Sequence, residues 1–185
     1  YRRQLIRPLI AQLSSATDLE IDPIQIIKRR SPDSPGHDPL NFDPTQAEKE
    51  TMAQNLIHLR VIAQTFFESI ASTINKLPSL LTEFLALFTK RVTIRFPKLP
   101  PTESYSFLGA ILFLRYICPA VATPTHFGVV KTPYDPHVGR ALILISKMLQ
   151  NLANEGKFGD KERHMLGLNT FIVQNRFTLR SYFRH

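Results

Sequence analysis

Arg115 is the residue whose type and setting most directly point to chemistry. It is the one charged side chain between Ser104 and Cys118, near the end of an otherwise apolar run. That run predicts a central, buried helix. A guanidinium inside it must be paired or give its protons to several acceptors, because stranding it is costly. Five donors in a fixed fork suit it to pinning the carbonyls of a neighbouring loop. Taken alone, the residue is as well or better explained as an arginine satisfying the last carbonyls of its own helix.

A second candidate lies downstream. At 100° per residue, Val138, Ala141, Leu142, Ile145, Leu149 and Leu152 fall on one side of a helix, with Lys147, Gln150, Asn151 and Asn154 opposite. Asparagine is a poor helix former, and amides carry donors and acceptors suited to reading a partner's backbone. By helix arithmetic alone, an ordinary solvated face is the better explanation of the pattern.

Self-contained enzyme chemistry finds no support. The histidines at 37, 58, 126, 137, 164 and 185 do not stand at metal-ligand spacing with acidic or cysteine partners, and there is no glycine-rich phosphate loop. Cys118 sits at an apolar helix end and reads as structural rather than nucleophilic. Arginines and lysines are spread out rather than interleaved with aromatics, which does not fit a nucleic-acid-binding module.

The elements that must position these residues are helices. Apolar residues recur at three- and four-residue spacing, without the alternation of strands, so an all-α fold is expected. Leu5, Leu9, Ile10 and Leu13 make a first stripe, and Asp22-Pro23 opens a short helix with Ile26 and Ile27. Residues 31–44, SPDSPGHDPLNFDP, contain four prolines and read as a solvated, mobile loop with two Ser-Pro dipeptides. A long helix is expected from about 45 to 75, buried through Leu56, Leu59, Ile62, Ala63, Phe66, Phe67, Ile70 and Ile74. Pro78 starts another, carrying Leu81, Phe84, Leu85 and Phe88 to about Phe96. The apolar helix around Arg115 spans about 103–118 and should end at Pro119. Further helices are expected over about 137–154 and 161–168, with a last one beginning near Arg176.

The chain has 185 residues, 43% of them hydrophobic, which is enough for one globular domain over its whole length. No run is long and apolar enough to span a membrane, and no secretory leader is evident. The single cysteine allows no intrachain disulfide. A net charge of +8 favours an acidic partner without choosing its kind. The first residue is Tyr1 rather than Met, so an excerpt from a longer chain is expected.

The segment FLRYICPA at Phe113–Ala120 resembles the FLR…PA signature of Ras GTPase-activating domains. LEIDP at Leu19–Pro23, KLP at Lys76–Pro78, RFP at Arg95–Pro97, THFGVV, ALILISKMLQNLANEGKFGDKE at Ala141–Glu162 and NTFI at Asn169–Ile172 fall in the same order and spacing. The resemblance covers essentially the whole chain outside the loop 31–44.

This resemblance implies an all-helical domain that docks a GTP-bound Ras-family small GTPase in a shallow groove and stimulates its hydrolysis in trans, without being a hydrolase itself. Arg115 would hold the loop carrying the inserted arginine finger, Leu114 and Pro119 would shape the groove, and Lys147, Gln150, Asn154 and Lys161 would face the GTPase. No cofactor of its own is implied, since GTP and Mg²⁺ belong to the partner. The expected location is the cytoplasm, with recruitment to the plasma membrane through other domains. One departure stands out. The family's finger lies in a segment reading roughly FR-x-N-x-x-x-T-K, upstream of the helix that begins here, and no such string occurs. Arg2, Arg3 and Arg7 do not match it. The chain is therefore expected to be a fragment whose parent has the finger, the alternative being a finger-less scaffold that binds a GTPase without accelerating hydrolysis.

Overall fold

The computed structural model describes residues 1–13, 18–30, 44–100 and 107–183. The proline-rich stretch 31–43, with both Ser-Pro dipeptides, and the expected helix start at 103 lie outside the described residues. Among the described residues all regular structure is helical. None of the helices is long and apolar enough to cross a membrane.

α1 (Arg2–Leu13) buries Leu5, Ile6, Leu9, Ile10 and Leu13, the expected stripe. α2 spans Pro23–Arg30 and α3 spans Gln46–Ser72. α3 starts where it does because Thr45 and Glu48 close a capping box, each side chain taking the other's backbone N–H. Leu59, Ala63, Phe66, Phe67 and Ile70 are buried along it as expected, while Leu56, Ile62 and Ile74 are only half-buried. A short 3₁₀ turn, Ile74–Lys76, leads to α4 (Ser79–Arg95), which buries none of its residues.

α5 corrects the sequence reading at two points. It is π-helical over Ala110–Ile117 and continues as α-helix over Cys118–Ala122, so Pro119 does not end it. A proline inside an α-helix removes one hydrogen bond and clashes with the carbonyl four residues back. The wider π turn, with Cys118 N–H reaching the Phe113 carbonyl five residues back, relieves that conflict. The buried residues Leu108, Leu112, Phe113, Ile117 and Val121 then recur at the roughly four-and-a-half-residue period that i→i+5 bonding implies.

α6 (Pro136–Ala153) is the central helix. It packs against α5, α3 and the last helix, α7 (Asn169–Tyr182). Asp135 caps it by accepting the His137 N–H, and Pro136 sits in its first turn. A 3₁₀-type segment, Asp160–Leu168, joins α6 to α7. α7 begins at Asn169, seven residues before the expected start near Arg176, because NTFI already packs: Phe171 and Ile172 are buried.

Candidate functional site

The site is built on the pairing of α5 with α6. Gly109, near the start of α5, lies so close to the end of α6 that a Cβ there would stand 2.9 Å from the Ala153 carbonyl oxygen. At the other end of α5, the buried Ser146 hydroxyl donates to the Cys118 carbonyl at 3.1 Å. The two helices therefore run antiparallel in direct contact, and Arg115 lies on the stretch of α5 between these two contacts. The Gln150 amide donates to Ser146 Oγ at 3.1 Å, so it is tied through Ser146 to the backbone of the FLRYICPA segment.

Arg115 is not buried, which corrects the expectation. It follows Phe107 and Ile111 at four-residue spacing, and its side chain is exposed. No hydrogen bond or ion pair ties its guanidinium to another described residue. The apolar neighbours that predicted burial belong to the other face of a π-helix. Leu114 and Pro119 are half-buried, and Leu114 packs against the core.

The polar face of α6 is as expected. Lys147, Gln150 and Asn151 are half-exposed and Asn154 is exposed, while the six apolar residues opposite are all buried. Lys147 Nζ pairs with Glu162 at 3.1 Å, which binds α6 to the following segment, and Lys161 beside it is exposed. The helix ends in a Schellman turn: Gly156 N–H bonds the Asn151 carbonyl at 2.9 Å and Glu155 N–H bonds the Leu152 carbonyl at 3.1 Å. Further on, the Asn169 side chain brackets Phe158, accepting its N–H at 2.8 Å and donating to its carbonyl at 3.1 Å.

The sequence reading missed the anchor of α6. Glu20, in LEIDP, is only 2% exposed. One oxygen accepts the N–H of Ile21 at 3.1 Å and of Asp22 at 3.0 Å. Arg140 on α6 grips the same carboxylate with Nε at 2.8 Å and Nη2 at 3.0 Å, a bidentate pair. Asn55 on α3 donates to the Glu20 carbonyl at 2.8 Å. An acid between two apolar residues was the available signal for a buried charge. Its partner, 120 residues away, left no signal in the sequence. His164 sits beside this cluster. Burial lowers its pKa below the usual 6.5, Lys147 and Arg140 push the same way, and Asp22 and Glu20 oppose.

The other candidates resolve simply. Cys118 is fully buried and desolvation pushes its thiol up to about 12, so it carries no thiolate at neutral pH. Arg2 and Arg3 serve their own fold. Arg2 lies 4.7 Å over the Tyr116 ring, and Arg3 grips the Gly128 carbonyl with Nε and Nη2 at 3.1 and 3.0 Å.

The described residues thus form an all-helical unit with a polar strip of amides and a lysine on one helix and, on its neighbour, an exposed arginine without a partner among the described residues. The family model for RasGAP, the GTPase-activator protein for Ras-like GTPases, matches residues 1–154. A probable Ras GTPase-activating-like protein, ngap, of Dictyostelium discoideum is 34% identical over 143 residues, covering 76% of this chain. Human Ras GTPase-activating protein 1 is 36% identical over 136 residues, or 73% of the chain. The mouse Disabled homolog 2-interacting protein is 32% identical over 130 residues, or 70%. These matches cover 16%, 13% and 11% of the respective relatives' own lengths. The chain belongs to the Ras GTPase-activator family.

Proposed function

We propose that this protein stimulates GTP hydrolysis by a GTP-bound Ras-type small GTPase, contributing to catalysis in trans. The observation that carries the reading is the direct antiparallel pairing, in a chain of this family, of α5, which carries the exposed Arg115, with α6, which carries the polar strip of Lys147, Gln150 and Asn154. The GTPase holds the nucleotide, its Mg²⁺ and the attacking water. The activator docks through the strip, with Lys161 at its edge, and Leu114 and Pro119 shape the floor beside it. Stabilisation of the charge developing on the transferred phosphoryl group comes from an arginine inserted by the activator. Arg115 is suited to hold the loop that delivers it, because its fork is exposed and free of other described partners. On this reading the protein works in the cytoplasm, brought to the inner face of the plasma membrane by other domains.

Single-turnover hydrolysis by a GTP-loaded Ras-type GTPase tests the proposal, using the full-length protein and its Arg115→Lys variant. One ammonium cannot replace a planar fork, so the variant should lose about 10–100-fold in stimulated rate through mispositioning. A variant as active as the wild type would remove Arg115 from the role. Tight binding of the GTPase with no acceleration by the wild type would make the protein a scaffold instead.

A further inference from the structure

The turn that follows α6 contains a backbone conformation its residue disfavours. In a Schellman turn the first residue past the cap is left-handed, and glycine usually takes that place because a Cβ is crowded there. Here the position is Glu155, with φ +52°, the one non-glycine residue of positive φ among those described. Glycine comes one residue late, at 156. The turn therefore needs support from outside the local sequence.

Arg180 supplies it. From the last turn of α7 its Nε donates to Glu155 Oε1 at 2.6 Å and its Nη2 pairs with Oε2, a bidentate grip. Both side chains are about three-quarters covered, at 29% and 26% exposed. Planar two-point pairing restricts the carboxylate in a way that a single ammonium would not. The same helix holds the connection again at its other end, where Asn169 brackets Phe158. The path from Asn154 to Lys161 is thus fastened to α7 at two points, beyond the span that the family model matches.

We infer that Arg180 is a positioning residue for GTPase recognition: by gripping Glu155 in its left-handed turn, it fixes the end of α6 and the course of the chain to Lys161. The inference rests on the functional reading above for the part Asn154 and Lys161 play. An ion pair that only ties two helices together would be indifferent to the backbone preference of residue 155. A clamp that offsets a disfavoured conformation becomes dispensable once that residue is glycine.

The test compares the full-length wild type with Arg180→Ala, Glu155→Gly and the double variant. It reads hydrogen exchange at the Gly156 amide, binding to a GTP-loaded Ras-type GTPase, and the thermal midpoint. Arg180→Ala should speed exchange at Gly156 and weaken GTPase binding, each about fivefold to tenfold, the size expected from one unsupported left-handed residue. Glu155→Gly should stay close to the wild type in both readouts, and the double variant should follow Glu155→Gly rather than Arg180→Ala. Wild-type exchange in Arg180→Ala, faster exchange with unchanged affinity, or a double variant as impaired as Arg180→Ala would each overturn the inference. A wild-type protein with no affinity for the GTPase would instead overturn the functional reading and the clamp's role in it, and the exchange pattern would then decide the clamp by itself.

Discussion

α4 and α6 are nearly equal in length, 17 and 18 residues, and both carry apolar residues at helical spacing. α6 buries ten of its residues and α4 buries none. On α4, Leu80 is 78% exposed, Leu87 63% and Ile94 66%. The contrast separates what a stripe implies from what a neighbour supplies. Periodicity states that a helix has a face fit for burial; only contact removes that face from water and stabilises the fold. Equal-looking leucines on the two helices should therefore behave very differently.

The sharpest break in this comparison is one truncation on each helix. Leu149→Ala should cost about 2–5 kcal/mol in chemical denaturation, as removal of a fully buried leucine does, and Leu87→Ala within about 0.5 kcal/mol. Equal costs would mean that the α4 face is covered in solution. A smaller effect is expected at Gly109, which α6 approaches too closely for a side chain. Gly109→Ala pushes against backbone rather than a flexible tip and should cost about 1–3 kcal/mol. Its stability by the same measurement would show that α5 and α6 can part without penalty.

The polar side of α6 gives the next prediction. Lys161→Glu should weaken GTPase binding about tenfold at low salt and less at high salt, with circular dichroism unchanged, since the residue is exposed. Unchanged affinity would move the interface elsewhere on the surface. The smallest effect concerns pH. His164 has its pKa lowered in the folded protein, so the unfolded chain takes up the proton first as pH falls through about 6.5. The unfolded state then binds more protons, and stability declines from that pH down to the folded value. His164→Asn should flatten the fall in thermal midpoint over that window. The same dependence persisting in the variant would assign it to other titrating groups.

Much of this was legible in the sequence. The stripe of α6, the start of α3 near Thr45 and the first helix follow from local spacing, and the family resemblance from FLRYICPA with QNLAN. What escaped depends on distant partners. Glu20 and Arg140 meet across 120 residues, and Arg180 reaches Glu155 from another helix. Arg115 was misjudged for a different reason. Its neighbours are apolar, but burial follows the angular period of the helix, and that period is not α-helical here. The exposure of α4 was invisible because a sequence records a face without recording what lies against it.

The π-helical pitch of α5 bears on how the chain tolerates insertion and deletion. Gly109 and Cys118 both meet α6. At 3.6 residues per turn, positions nine apart point about half a turn away from each other, so an α-helix could not present both to one neighbour. The wider pitch acts as a phase correction: nine residues make about two turns where an α-helix takes about seven, equivalent to about two residues spliced into the helix. Losing two residues between Gly109 and Cys118 would allow ordinary pitch while keeping both contacts, at the cost of swinging Arg115 to a new bearing. A redesign that regularised the pitch at constant length would instead force a choice between the two ends. The length of this stretch, more than the identity of its apolar residues, sets where the arginine points.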